Sequence, residues 1–206
     1  MRKIVFILFI AVAFQACKKE PFTWLWHKVP TNTPHNLYSI NVSADTLLVF
    51  GGATFEEGVQ SKIYMPTNEI ITTSIIAPKA IYASSFISAE KGAACGYDGK
   101  IYVTNNGGNN WNLLQTPSWR ALQDIEYKYN WGVAAGGLGN KGAIQINYLP
   151  NWQWNEILFD KELKAVAITD SSTAFVVGNG IVLKTINQGM SWNAIEIAGD
   201  MFTDIQ

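Results

Sequence analysis

Few side chains in this sequence have the type and spacing that catalysis or metal binding requires. Cys95 lies among small apolar residues in GAACGYDG, and the two histidines, His27 and His35, lie near the start of the chain. No His, Cys and Asp residues recur at the spacing of a metal site, so the sequence predicts neither a metal nor another cofactor. Cys95 is predicted to be a buried, inert residue without a disulfide partner.

Carboxylates and arginines are the remaining candidates for chemistry. A glycoside hydrolase needs two carboxyl groups roughly 5–10 Å apart across a cleft, and nothing in the sequence pairs any two of them. Asp124, in LQDIEY, is expected to face a central channel as a solvated carboxylate. Arg2 and Arg120 are the only arginines, so a site that grips a carboxylate ligand with three guanidinium groups cannot be built. The sequence therefore predicts no catalytic residues.

One motif occurs twice and could be either a repeated piece of chemistry or a repeated turn. TNNGGNNW at 104–111 and TINQGMSW at 185–192 both read T-x-N-x-G-x-x-W. The asparagine can accept hydrogen bonds from turn amides, the glycine can adopt a positive φ, and the tryptophan can anchor the turn in the core. The motif residues are therefore predicted to be structural: Thr104, Asn106, Gly108, Trp111, Thr185, Asn187, Gly189 and Trp192.

The elements that must position this motif form a repeat. Four apolar runs end in glycine, at Gly51, Gly96, Gly136 and Gly178, with a period of about 42 residues. One short alternating strand precedes each run, another follows it, and a tryptophan strand closes three of the units. Four strands repeated four times predict an all-β fold, a β-propeller of four-stranded antiparallel blades. Stacked blades bury faces that a single sheet cannot bury alone.

The predicted propeller covers residues 24–206. Its repeats lie at about 26–70, 71–110, 111–153 and 154–191, and a fifth begins at 192–206. The innermost and outermost strand elements occur five times, whereas the middle strands occur four times. Either the sequence belongs to a larger propeller of six to eight blades, or four blades close on themselves and leave MFTDIQ as a tail. An unclosed array would expose strand edges and apolar blade faces, and would therefore self-associate.

GYDGKIYVTNNGGNNW carries a resemblance to a known family. S/T-x-D/N-x-G-x-x-W after a strand resembles the Asp-box, or BNR, repeat of sialidases, sortilin-like receptors, xyloglucan-cleaving glycosidases and photosystem II assembly-factor propellers. The sequence is most similar to the assembly-factor type, over nearly all of 24–206, although the first repeat lacks the motif's tryptophan and the third its glycine. The resemblance implies a WD40- or YVTN-like propeller that binds a protein. With only two arginines in the sequence, the three-arginine site of sialidases is excluded.

The N-terminus has the composition of a targeting segment. A basic start, MRK, precedes the apolar run IVFILFIAVAF and then QAC, which ends at Cys17. This order is typical of a secretory signal, and the cysteine resembles that of a bacterial lipobox. Residues 1–16 are expected to be a lipoprotein signal peptide, Cys17 the lipidated residue, and 17–23 a tether of at most about 25 Å. An ordinary cleaved signal is the alternative. The expected location is the outer membrane of a Gram-negative bacterium, on its periplasmic or outer side, with the lipid anchor as the only membrane contact.

The expected function is non-catalytic binding of another protein at the cell envelope. A net charge of −1 and 15% charged residues argue against nucleic acid as a partner. Four large loop residues are the candidates for partner contact, His35, Tyr97, Trp119 and Arg120, because such side chains contribute disproportionately to interfaces. Packing and rim charge are their alternative roles. The alternative function is a surface glycan-binding or glycoside-hydrolase-like propeller, which exposed aromatic side chains on one face would favour.

Overall fold

The computed structural model describes residues 28, 29, 31, 33–114, 116, 119–148 and 151–206, with the backbone alone at 151–154. The predicted signal peptide, Cys17 and the tether lie outside the described residues. Within the described part, no helix is long and apolar enough to cross a membrane.

Short strands make up four antiparallel sheets along the chain. The first sheet contains β1 (Asn36–Ser43), β2 (Thr46–Ala53), β3 (Glu57–Tyr64) and β4 (Glu69–Ala77). The second contains β5 (Ile81–Phe86), β6 (Gly92–Gly96), β7 (Ile101–Thr104) and β8 (Asn112–Leu114). The third contains β9 (Leu122–Lys128), β10 (Trp131–Leu138), β11 (Lys141–Tyr148) and β12 (Asn151–Phe159). The fourth contains β13 (Leu163–Ile168), β14 (Ala174–Thr185) and β15 (Asn193–Met201).

β14 is two strands joined by a tight turn. Fully extended, its twelve residues would span about 40 Å. Yet the amide of Gln188, just beyond its end, donates to the carbonyl of Ser172, just before its start, at 2.8 Å. The chain reverses at Gly180, which has a φ of 65°. The first half pairs with β13 and the second half with β15. The fourth sheet therefore has the same four-strand order as the others, and the predicted all-β repeat is confirmed.

Each glycine that ends an apolar run marks a close approach to the strand before it. A β-carbon at Gly51, Gly96, Gly136 or Gly178 would lie 2.0–2.1 Å from a carbonyl oxygen just before or at the start of the first strand of its sheet. In three sheets the next residue donates its amide to that same carbonyl, at 2.8–3.0 Å. Any larger residue would push this pair of strands apart. The contact explains why glycine recurs with the period of the repeat.

The core lies between neighbouring sheets. β1 lies beside β5, β5 beside β9, and β9 beside β13, so the first strand of each sheet is innermost. Between the first and second sheets, the buried cluster includes Leu48, Phe50, Ile81 and Tyr102. Between the second and third, it includes Cys95, Ile101, Ile125 and Tyr127. Between the third and fourth, it includes Trp131, Ile144, Leu163 and Leu183. Stacked sheets thus bury one another's faces, as the repeat predicts.

The sheets and the sequence repeats are offset by one strand. The repeat at 71–110 takes its start from β4 of the first sheet and its other strands from the second sheet. The offset arises because each predicted repeat begins at the tryptophan strand or its equivalent, which is outermost in its own sheet. Residues 202–206 follow the fourth sheet, and the amide of Phe202 donates to the carbonyl of Gly178 at 3.3 Å.

Among the described residues, one side of β1 in the first sheet is left exposed. Ile40 of β1 is 62% exposed, whereas Ile125, which has the same position in β9, is 3% exposed against the second sheet. Val42, next to Ile40 on that side of β1, is likewise exposed. The sequence predicted exposed apolar faces for an unclosed array, and whether the array closes stays a prediction.

Candidate binding face and the repeated turns

Both copies of T-x-N-x-G-x-x-W form the same turn before an outer strand. In the first, the Thr104 hydroxyl accepts from the amides of Gly108, at 2.9 Å, and Asn106, at 3.3 Å, and donates to Asn106 Oδ1. Asn106 Oδ1 also accepts from the amide of Asn110 at 2.9 Å. Gly108 has a φ of 73°, which favours glycine. These polar groups therefore close the turn.

The second copy repeats this arrangement between the two strands at the outer side of the fourth sheet. The Thr185 hydroxyl accepts from the amide of Gly189 at 2.8 Å and donates to Asn187 Oδ1 at 2.9 Å. Asn187 Oδ1 accepts from the amide of Ser191 at 3.0 Å, and Gly189 has a φ of 82°. The matching bonds indicate a structural role for both copies.

The two motif tryptophans differ in one hydrogen bond. Trp111 Nε1 donates to Oε1 of buried Gln60 at 2.8 Å, and Gln60 Nε2 donates to the carbonyl of Gly108 at 2.9 Å. Because Gln60 lies in β3, these bonds join the second sheet to the first. Trp192 packs against the cluster between the third and fourth sheets. Its indole nitrogen is buried and has no hydrogen-bond partner among the described residues.

The carboxylates of β9 bind main-chain amides of the next sheet. Asp124 Oδ2 accepts from the amide of Val166 at 2.8 Å, and Glu126 accepts from the amide of Ile168. Burial raises the pKa of Asp124 and of Glu126 from the usual carboxyl value. Asp124 was expected to be a solvated carboxylate. It lines a cavity between the innermost strands β5, β9 and β13, as expected, but it is half-buried there because the neighbouring sheet covers part of it and supplies a hydrogen bond. This bonding gives the two carboxylates a structural role.

Within the described residues, no three or more His, Cys, Asp or Glu side chains are grouped so that they could hold a metal ion. Cys95 is fully buried, and burial raises the pKa of its thiol well above the usual value. A thiol in this environment is a poor nucleophile.

The alternating strand directions give the array two faces. We call one the upper face; it carries the turns at 54–56, 97–100 and 139–140 and the connections between sheets. The lower face carries the T-x-N-x-G-x-x-W turns. All four residues predicted to contact a partner lie on the upper face: His35, Tyr97, Trp119 and Arg120. They share this face because each lies before the first strand of a sheet, in a connection between sheets, or in a turn between the second and third strands.

The four predicted residues differ in the contacts that they make within the protein. His35 Nε2 lies 2.7 Å from Glu57 Oε1, so the ring is held against β3. Arg120 lies 3.9 Å from Glu156, and its guanidinium group sits 5.6 Å from the ring centroid of Trp119. Trp119 is 77% exposed. Trp119 is therefore accessible to a partner, whereas His35 is already hydrogen-bonded to Glu57.

Tyr97 belongs to a row of rings that the sequence did not reveal. Phe55 lies 5.0 Å from Tyr97, Tyr97 lies 6.5 Å from Tyr82, and Tyr82 lies 5.2 Å from Tyr38, between ring centroids. We call these four residues the aromatic row. Phe55 and Tyr38 are exposed, and the Lys79 ammonium lies 5.8 Å from the Phe55 centroid. The alternating pattern of β1 and β5 could have indicated two of these rings, because Tyr38 and Tyr82 both come one residue after an apolar residue near the start of the strand.

The aromatic row leads into a cavity at the upper end of the innermost strands. This cavity has a volume of about 430 Å³. Its lining residues come from β1, β5, β9, β13 and the segment after β15: Tyr38, Tyr82, Gln123, Lys164 and Thr203. Lys164 is paired with Glu162 at 2.6 Å. The cavity therefore presents hydroxyl, amide and paired charged groups next to exposed rings.

Comparison with known proteins adds information on the fold alone. No protein-family model matches the sequence, and no curated protein matches it. Among solved structures, the chain is similar to the β-propeller domain of Cps50 (Swd1) from Myceliophteria thermophila, with a TM-score of 0.61 and 10% identity. The match covers 82% of this chain and 58% of that one. Together with the stacked four-stranded sheets, this similarity identifies the chain as a β-propeller. The Asp-box and assembly-factor resemblance stays a prediction.

Proposed function

We propose that this propeller is a non-catalytic binding protein of the bacterial cell envelope, anchored by a lipid at Cys17, that holds a protein partner on its upper face. The observation that carries the proposal is the pair of exposed aromatic side chains there, Phe55 and Trp119, with half-buried Tyr97 and Arg120 beside them. Phe55, Tyr97, Trp119 and Arg120 all belong to this face. Aromatic residues and arginine are enriched at protein interfaces and contribute much of their binding energy.

The lower face and the interior offer less support for a binding role. Thr104, Asn106, Thr185 and Asn187 use their side chains to close turns. The carboxylates of β9 bind backbone amides of the fourth sheet. Side chains bound in this way cannot change partners without opening the fold. Non-catalytic binding on the upper face therefore accounts for the exposed residues there. It leaves the turn residues and the β9 carboxylates with their structural role alone.

Site-specific photo-crosslinking in the bacterium that makes the protein tests this proposal. A photoreactive amino acid replaces Phe55 or Trp119 on the upper face. As a control, it replaces Met190, which is exposed in the lower-face turn before β15. The proposal expects a discrete protein adduct from positions 55 and 119 and none from position 190. Equal adducts from both faces, or none from the upper face, would contradict it.

Glycan binding is a second candidate because of one observation. The indole of Trp119 is largely exposed on the same face as Tyr97, and an open aromatic ring can stack on a sugar. Binding of the purified protein to envelope polysaccharides, measured with and without Trp119→Ala, separates the two candidates. A glycan role predicts binding that this substitution abolishes, whereas the main proposal predicts no polysaccharide binding.

A further inference from the structure

We infer that a cavity between the first and second sheets, on the lower face, binds the carboxylate group of a small organic anion. This site is separate from the upper face, where a partner protein is proposed to bind. The cavity has a volume of about 310 Å³ and lies between the β1–β2 turn and the first T-x-N-x-G-x-x-W turn. Lys62, from β3, supplies the positive charge in its wall.

The first argument is that Lys62 is a buried cation without an anion. It is 8% exposed, and its Nζ donates to the Gly107 carbonyl at 2.8 Å and to Asn109 Oδ1 at 2.7 Å. Both acceptors are neutral and belong to residues that line the cavity, so the ammonium group lies at the cavity wall. Two of its three N–H groups are used in these bonds. Lys62 takes part in none of the ion pairs among the described residues, and burial lowers the pKa of its ammonium group from the usual value.

The corresponding contact between the third and fourth sheets shows that the turn can be held without a charge. There, the hydroxyl of Tyr148 in β11 donates to the carbonyl of Gln188 at 2.7 Å. In both turns the acceptor is the residue just before the motif glycine, Gln188 in one and Gly107 in the other. A neutral phenol thus makes the bond that Lys62 makes. Burying an ammonium group instead costs free energy unless an anion compensates its charge. The charge of Lys62 therefore indicates a ligand.

The other groups that line the cavity favour a carboxylate with a short apolar body. None of the described lining residues is an Asp or Glu. The Thr46 hydroxyl and Asn106 Nδ2 make no hydrogen bond within the described part of the chain, so both can donate to an anion. Leu48 and Ile71 add apolar surface to the wall. A single cation matches a singly charged carboxylate better than a doubly charged phosphate, and the apolar surface can contact the carbon chain of the ligand.

Ligand-observed NMR titration of the purified protein with butyrate tests the inference. We expect butyrate to bind with a Kd of about 1–10 mM, and phosphate and the neutral analogue butyramide to bind at least about tenfold more weakly. Lys62→Gln removes the charge but keeps a hydrogen-bond donor, and it should weaken butyrate binding at least about tenfold. Lys141→Gln is the control: it removes the same charge from an exposed upper-face lysine and should leave binding unchanged.

The two copies of the turn motif supply a second matched pair of variants. Asn106→Asp keeps the oxygen that closes its turn but places a negative charge at the cavity, so it should weaken butyrate binding at least about tenfold. Asn187→Asp makes the same change in the turn of the fourth sheet, outside this cavity, and should leave binding unchanged. This pair decides the question if Lys62→Gln does not fold, which circular dichroism reveals.

Several results would overturn the inference. Butyrate could fail to bind at about 50 mM, bind equally well to folded Lys62→Gln, or bind no better than butyramide. Equal weakening by Asn106→Asp and Asn187→Asp would show that the effect does not come from the cavity. Tighter binding of phosphate than of butyrate would show that the carboxylate is the wrong ligand. A lower Tm of Lys62→Gln without butyrate binding to the unsubstituted protein would leave Lys62 as a contact between sheets alone.

Discussion

The two motif tryptophans provide a matched pair for measuring what one hydrogen bond contributes between propeller blades. Trp111 and Trp192 occupy the same motif position, and both are partly buried against the preceding sheet. Only Trp111 donates its indole proton, to Oε1 of Gln60. Replacing either with phenylalanine removes a similar amount of apolar surface, so the difference between the two variants isolates the polar contribution.

Loss of the indole N–H is expected to destabilise the Trp111 variant and to stabilise the Trp192 variant. Trp111→Phe leaves the buried Gln60 oxygen without its indole donor, which costs about 1–3 kcal/mol. Trp192→Phe removes a buried donor that has no partner in the described residues, which relieves a desolvation penalty of similar size. Trp111→Phe should therefore be less stable than Trp192→Phe by about 2 kcal/mol or more. For a protein of this size the gap corresponds to roughly 4–8 °C in Tm.

Thermal and denaturant unfolding of the two variants measure this difference. Gln60→Leu, Trp111→Phe and their combination form a double-mutant cycle. Both Gln60 variants lose the bond to the Gly108 carbonyl, so that loss cancels in the cycle. The double variant should lose less stability than the sum of the two single variants, because it leaves neither the indole nor the Gln60 oxygen unpaired. The reasoning is refuted if the two single variants lose equal stability, if Trp192→Phe is the less stable one, or if the double variant is simply additive.

Three further predictions concern charge, anchoring and association. Because burial raises the pKa of Asp124, the native state binds its proton more tightly than the unfolded state. The unfolding free energy should thus fall as pH rises from about 4 through the raised folded-state pKa. In urea titrations, Asp124→Asn should reduce this dependence of the unfolding free energy on pH, and an unchanged dependence would contradict the prediction. Cys17→Ser should move the protein from the membrane fraction to the soluble fraction, and continued sedimentation with membranes would count against lipidation. Residues 24–206, purified without lipid, should self-associate through the apolar stripe of β1, and Ile40→Lys should reduce the weight-average mass in sedimentation experiments; a monomer at high concentration would show this expectation to be wrong.

The sequence predicted the strands and their grouping because each rests on local chemistry. Gly96 and Gly136 recur where a strand crosses close to a carbonyl, and that requirement repeats in every sheet. The turn motif is equally local, since Thr104 and Asn106 bond within the same turn. Period and composition are sufficient to detect features of this kind.

The aromatic row could not be predicted because it depends on how neighbouring sheets are aligned. Phe55 and Tyr97 come from turns of different sheets and meet only after those sheets stack. Asp124 was assigned to solvent for a related reason. Its partner, the amide of Val166, lies 42 residues away, which is one repeat along the chain. A contact between equivalent positions of adjacent repeats leaves no local sign in either of them.

The two faces differ because the lower-face turns make structural hydrogen bonds and the upper-face turns share no such pattern. On the lower face, the T-x-N-x-G-x-x-W turn supplies its own hydrogen bonds and also bonds to the preceding sheet, as Gln60 does with Trp111 and the Gly108 carbonyl. A side chain that must satisfy those contacts has little freedom to recognise a ligand. The upper-face turns carry no such common pattern: ATFEEG, GYDGK and GLGNKG differ in length and composition. A repeat protein can vary the turns that do not hold its sheets together. This difference supports the proposal that a partner binds on the upper face, where sequence change costs the fold little.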